Sequence, residues 1–183
     1  MRATGRRYRM PRMGELTALG ASLLLLSGCG ASVGGGARLR SLPRLGPVYE
    51  GSATAAAGLA TVEEGNGVQV LVPLQWTLGT DSRSALQSTL ETGVESTLLF
   101  HRFGFHTGLR LGVAVAGASG SYLGMRLGPS LMLTPAIAEK WAPSLTLCGM
   151  AAYGLGGDAG GHGLASLQLE LSWDRYGAPI RIP

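Results

Sequence analysis

Apolar and polar positions alternate along most of the chain from about residue 47 onward, the signature of half-buried strands. Val68, Val70, Val72, Leu74, Trp76 and Leu78 share one face, against Gln69, Leu71, Pro73, Gln75 and Thr77 on the other. Leu109, Leu111, Val113 and Val115 oppose Gly108, Arg110, Gly112 and Ala114. Leu123, Met125, Leu127, Leu131 and Leu133 oppose Tyr122, Gly124, Arg126, Gly128 and Ser130, and Leu167, Leu169, Leu171 and Trp173 oppose Ser166, Gln168, Glu170 and Ser172. Segments 48–60 and 144–155 follow the same pattern more weakly. Glu63-Glu64-Gly65-Asn66-Gly67, Gly117 to Gly120 and Gly154 to Gly163 supply turn residues between them. Residues 82–102 fit two periods. Leu86, Leu90, Val94 and Leu98 are spaced by four, as on a helix, yet with Ser88, Thr92 and Ser96 they also share one strand face. Gly93 and the Ser/Thr content favour a strand from about 88 to 101.

The pattern predicts an all-β antiparallel meander with one apolar face and one small, polar face. A soluble sandwich or lipocalin-like barrel would bury the apolar face, whereas an outer-membrane barrel would turn it to lipid and enclose the polar one. Three features favour a small up-and-down barrel of about eight strands. The strands are long enough to cross a membrane at a tilt. Tyr49, Trp76, Phe103, Phe105, Tyr122, Trp141, Tyr153, Trp173 and Tyr176 lie at or near strand ends, as interfacial girdles would. The polar face is also crowded with Gly and Ala, which suits a narrow lumen, and Arg110, Arg126 and Glu170 embedded in it are candidate lumenal ion pairs. Two features oppose closure. Seven strands are evident, so an eighth must come from 35–46 or from splitting 82–102. Pro73 and Pro129 also fall inside strands that a closed barrel leaves without an edge.

The first 28 residues hold five arginines, all within residues 2–12, and a short apolar run from Leu16 to Leu26. That run is too short to span a bilayer and has the layout of an export signal. It ends in Leu26-Ser27-Gly28-Cys29, which resembles the lipobox of bacterial lipoproteins. The resemblance implies cleavage before Cys29 and acylation of that residue, hence attachment to membrane lipid. Gly30 rather than Asp after the cysteine leans towards the outer membrane. The expected organisation is a lipoprotein signal over 1–28, a lipidated flexible linker over 29–46 and a barrel-like domain over 47–183.

Charge and composition narrow the function. With the signal set aside, ten basic and ten acidic residues remain, so the net charge of +4 belongs to the leader and nucleic acid is not an expected partner. Glycine, 30 of 183 residues, is at more than double its ordinary usage of about 7%. The apparent catalytic motifs lack their structural context. Gly30-Ala31-Ser32-Val33-Gly34 reads as a nucleophile elbow but precedes a glycine triplet, not a helix. Gly154-Leu155-Gly156-Gly157-Asp158-Ala159 matches a dinucleotide fingerprint by letter but leads into a strand. His101 and His106 have no helical metal-binding register, and Cys148 reads as a buried inert thiol. No catalytic residue, metal or cofactor is expected. Gly-Leu-Arg-Leu-Gly (108–112) and Gly-Met-Arg-Leu-Gly-Pro-Ser-Leu (124–131) resemble stretches of small bacterial outer-membrane β-barrel proteins. The resulting expectation is an outer-membrane lipoprotein with a structural or binding role, contacting lipid through Cys29 and through its barrel surface. The alternative is a lipid-anchored periplasmic domain that binds a small apolar ligand or a partner protein.

Overall fold

A computed structural model describes residues 28–42, 46–117 and 120–177; the signal expected over 1–28 lies outside them except for Gly28. Eight antiparallel strands close into a single up-and-down barrel: β1 (Gly28–Leu42), β2 (Gly46–Glu63), β3 (Asn66–Asp81), β4 (Leu86–Phe100), β5 (Phe103–Ala116), β6 (Tyr122–Met132), β7 (Trp141–Gly154) and β8 (Gly163–Arg175). Each strand pairs with its neighbour in sequence. The ring is sealed where β1 meets β8, from Ala31 opposite Arg175 to Ser41 opposite Ala165. The turn between β2 and β3 is two residues, Glu64 and Gly65, both at positive φ, a conformation that matches the twist of the flanking strands.

The structure corrects the sequence reading at the linker and at two aromatics, bears out the strand favoured within 82–102, and shows how the prolines fit. The eighth strand is β1, so residues 29–42 are barrel wall and not a flexible linker. The Gly34-Gly35-Gly36 run hid this strand because it carries no alternating hydrophobicity. Segment 82–102 is the single strand β4 and its turns. The prolines are accommodated at gaps in the ladder. Pairing between β3 and β4 skips Val72 and Pro73, and the Thr92 hydroxyl donates to the Pro73 carbonyl at 2.9 Å; pairing between β6 and β7 skips Gly128 and Pro129. Finally, Tyr122 and Tyr176 are not girdle residues, since both are fully buried inside the barrel.

The apolar face points outward. Leu74, Leu90, Leu109, Leu123, Leu147 and Leu169 are all exposed, as are their neighbours along each strand. This is opposite to what a soluble sandwich or lipocalin-like domain requires, and that alternative fails here. Exposed aromatics ring both ends of this band. Tyr49, Trp76 and Tyr153 lie towards one end, and Phe100, Phe103, Trp141 and Trp173 towards the end where β1 begins and β8 finishes.

Truncating an outward leucine should therefore leave no packed cavity. Leu111→Ala and Leu169→Ala are each expected to cost about 1 kcal/mol or less in refolding titrations in detergent or lipid. Losses near the roughly 2–5 kcal/mol of a buried leucine at both positions would contradict a lipid-filled surround.

Candidate functional site: a charged lumen

Inward positions of every strand converge on a polar core whose ends are stoppered by apolar side chains. At the end where β1 begins and β8 finishes, Ala60, Val62, Leu99, Met132, Ala142 and Tyr176 pack with Ala136 of the β6–β7 loop. At the other end, Leu42, Val48, Tyr122, Met150 and Leu164 pack with Ala159. Inward glycines make room for the long side chains between these stoppers. A Cβ on Gly112 would lie 2.2 Å from the Tyr122 ring, which covers that glycine instead.

Two ion-pair clusters fill the interior. In the first, Arg38 Nε donates to Glu50 Oε2 at 2.6 Å and Nη2 to Thr77 Oγ1 at 3.1 Å, while Nη1 reaches Glu91. Arg40 Nη2 donates to Glu50 Oε1 at 2.5 Å, and its guanidinium lies 5.7 Å from the Tyr122 ring centre. The Tyr122 hydroxyl donates to Glu91. In the second cluster, Glu95 accepts from Arg110 and, at 3.0 Å, from Arg126 Nη1; Arg126 Nη2 donates to Glu170 Oε2 at 2.8 Å. Gln168 donates to Glu170 at 3.1 Å and accepts from Gln75 at 3.1 Å. Arg110, Arg126 and Glu170 thus share one cluster, with Arg126 bonded to Glu170 and Arg110 bonded to Glu95. Four arginines and four glutamates balance in these two groups, as buried charges must.

Sequence reasoning did not single out Arg38, Arg40, Glu50, Glu91 or Glu95, and it took Tyr122 for a girdle residue. Glu91 and Glu95 were readable in principle, because each occupies an inward position of β4 four residues apart. Arg38 and Arg40 sat in the segment assigned to the linker.

The remaining candidates are dispersed. Ser32 sits in the middle of β1, so no elbow forms around it. Gly157–Ala159 is a three-residue 3-10 turn leading into β8. His101 occupies an exposed turn, whereas His106 points into the lumen. Among the described residues, no group of three or more His, Cys, Asp or Glu side chains could hold a metal ion. Cys148 is buried. His106 Nδ1 lies 2.8 Å from Glu95 Oε1 and 3.0 Å from Thr97 Oγ1. Acid and hydroxyl therefore meet the same ring nitrogen, whereas a proton relay needs one on each side of the imidazole. Cys29 lies near the start of β1, opposite Leu59, and is exposed.

An apolar exterior, aromatic rings at two levels and a plugged, charge-paired interior define a small eight-stranded β-barrel of the outer-membrane type. Comparison with known proteins agrees at the level of fold. The chain resembles the crystal structure of the outer-membrane enzyme PagL (TM-score 0.53, 12% identity, 78% of this chain and 97% of that one). Neisserial surface protein A is also similar (TM-score 0.48, 16% identity, 81% of this chain and 97% of that one). No protein-family model and no curated protein matches the sequence.

Proposed function

We propose that this protein is a lipid-anchored barrel of the bacterial outer membrane, acylated at Cys29, with a structural or binding role and no catalysis. The observation that carries the reading is the outward apolar band between two aromatic rings around a charged interior. In water that arrangement exposes a continuous apolar belt, and in a bilayer it satisfies every face. The position of Cys29 supports the anchor. It lies at the rim of the barrel on the alternation that turns Val33 and Leu39 outward, so acyl chains attached there enter the lipid that bathes the barrel wall. Anchor and barrel are then contiguous, with no tether between them. The shared nitrogen contact of His106 and the apolar stoppers support a non-catalytic lumen that does not conduct solutes.

Palmitate labelling and fractionation of wild type and Cys29→Ser test the two halves separately. The variant is expected to lose the label and accumulate as a differently processed precursor. Its folded barrel should still resist alkaline extraction and migrate faster on gels when unheated. Unchanged labelling would end the lipidation reading, and release of the variant as a soluble protein would end the membrane-barrel reading.

A further inference from the structure

The mouth of the barrel where β1 begins and β8 finishes carries a pocket outside the charged lumen. Three rim connections form it: the β2–β3 turn, the β4–β5 turn and the β6–β7 loop. Its floor is apolar, made by Val62 and Ala136 of the stopper with Ile137 and Ala138 beside them. Its volume is about 500 Å³, inside the range of roughly 300–1,000 Å³ for small-ligand sites. Glu64 and Arg102 also line it, together with the imidazole of His101. All three side chains are exposed, and among the described residues neither Glu64 nor Arg102 forms an ion pair, with each other or with a third group. Their turns nevertheless touch, since a Cβ on Gly65 would lie 3.4 Å from His101 Cα. Glu63, Glu139, Lys140 and Arg175 lie at the same end but do not line the pocket. It therefore offers one carboxylate and one guanidinium, held apart above an apolar floor.

The β4–β5 turn is also where the barrel meets the lipid surface. His101 and Arg102 stand between Phe100 and Phe103, which pair across β4 and β5 and are 61% and 67% exposed on the outer wall. An aromatic ring of this kind marks the level of lipid headgroups, so Arg102 sits at the height of the phosphates. Two residues are all that separate that outer wall from the pocket. Over so low a rim a headgroup folds inward while its acyl chains stay against the two phenylalanines. A phosphate fits the Arg102 guanidinium and the ring N–H of His101. A cationic N–H group on the same ligand fits Glu64. A purely anionic headgroup would leave that carboxylate uncompensated, and a trimethylammonium gives it no N–H to accept from. Resting on the membrane-barrel reading above, we propose that the pocket binds the headgroup of phosphatidylethanolamine, with the phosphate on Arg102 and the ammonium on Glu64.

The test offers the purified full chain equal amounts of phosphatidylethanolamine, phosphatidylcholine and phosphatidylglycerol in mixed micelles, and counts the retained lipids by native mass spectrometry. Wild type is expected to keep one phosphatidylethanolamine in preference to the other two. Arg102→Gln should move the midpoint of its titration to a concentration on the order of tenfold higher, as loss of a charge-assisted contact predicts. Glu64→Gln should erase the preference over phosphatidylglycerol. Both substitutions fall in exposed turns, and faster migration of the unheated protein on gels checks that each variant has folded. Equal retention of the three lipids by wild type, or an unchanged preference in both variants, would overturn the pocket and leave the membrane barrel standing. Stronger retention of phosphatidylglycerol by wild type would overturn the zwitterionic ligand. A chain that stays soluble without detergent and retains no lipid would overturn the membrane reading itself, and the pocket with it.

Discussion

Glu95→Ala is expected to destabilise the barrel by about 3–5 kcal/mol, the range for breaking a buried ion pair by removing one partner. Glu95 receives Arg110, Arg126 and His106 at once, so its loss leaves Arg110 without an ion-pair partner and Arg126 with Glu170 only. Neither guanidinium can turn to solvent, because both are buried and both mouths of the lumen are stoppered. Denaturant titration of refolding in micelles measures the loss directly, with Leu111→Ala as the reference for an outward side chain. A decrease no larger than that reference would mean that water takes over the carboxylate's role and that the ion pairs contribute little.

Gly36→Val should be nearly as damaging for a different reason. A Cβ at Gly36 would lie 2.0 Å from the Leu169 carbonyl oxygen and 2.8 Å from Glu170 Cα. Both are backbone atoms of β8, across the seam that closes the ring, so no flexible side chain can move aside. Overpacking a strand interior typically costs about 1–3 kcal/mol, and the upper end applies where the obstacle is the closure itself. Gly149→Ala is the matched control, since nothing lies within 4 Å of the position its Cβ would take. The readout is the fraction of protein that reaches the fast-migrating folded form. Equal yields from Gly36→Val and Gly149→Ala would show that the seam is looser than its geometry indicates.

Much of this architecture was legible because a strand's period is two and a barrel wall repeats it with little interruption. Alternation alone located β3, β5, β6 and β8. It could not say which face was inside, because leucines in a core and leucines in lipid produce the same pattern. The aromatic positions and the small residues on the polar face broke that tie. Alternation also failed where side chains were missing: Gly34, Gly35 and Gly36 gave β1 no periodic signal, although glycine is what an inward, tightly curved wall needs there. Tyr122 was misplaced because a strand-end aromatic can project to either side. The lumenal network was legible only in part. Arg110, Arg126 and Glu170 stood out as charges on the polar face of clear strands, but pairing depends on which strands face one another across the lumen. That is a property of closure, and no local pattern carries it.

The separation of partners along the chain has a consequence for how the barrel enters a membrane. Arg38 on β1 needs Glu50, twelve residues away, and Glu91, fifty-three residues away; Arg126 needs Glu170, forty-four residues on. A hairpin inserted alone would carry unmatched guanidiniums and carboxylates into hydrocarbon, together with the unsatisfied backbone of its edges. β4 supplies Glu91 to one cluster and Glu95 to the other, so neither can assemble before the middle of the chain arrives. Stepwise, strand-by-strand insertion is therefore uphill until β8 docks on β1. The path of lower free energy is a concerted one, in which the strands tilt, curl and cross the bilayer while the lumenal charges find one another, with few stable half-inserted species to accumulate on the way.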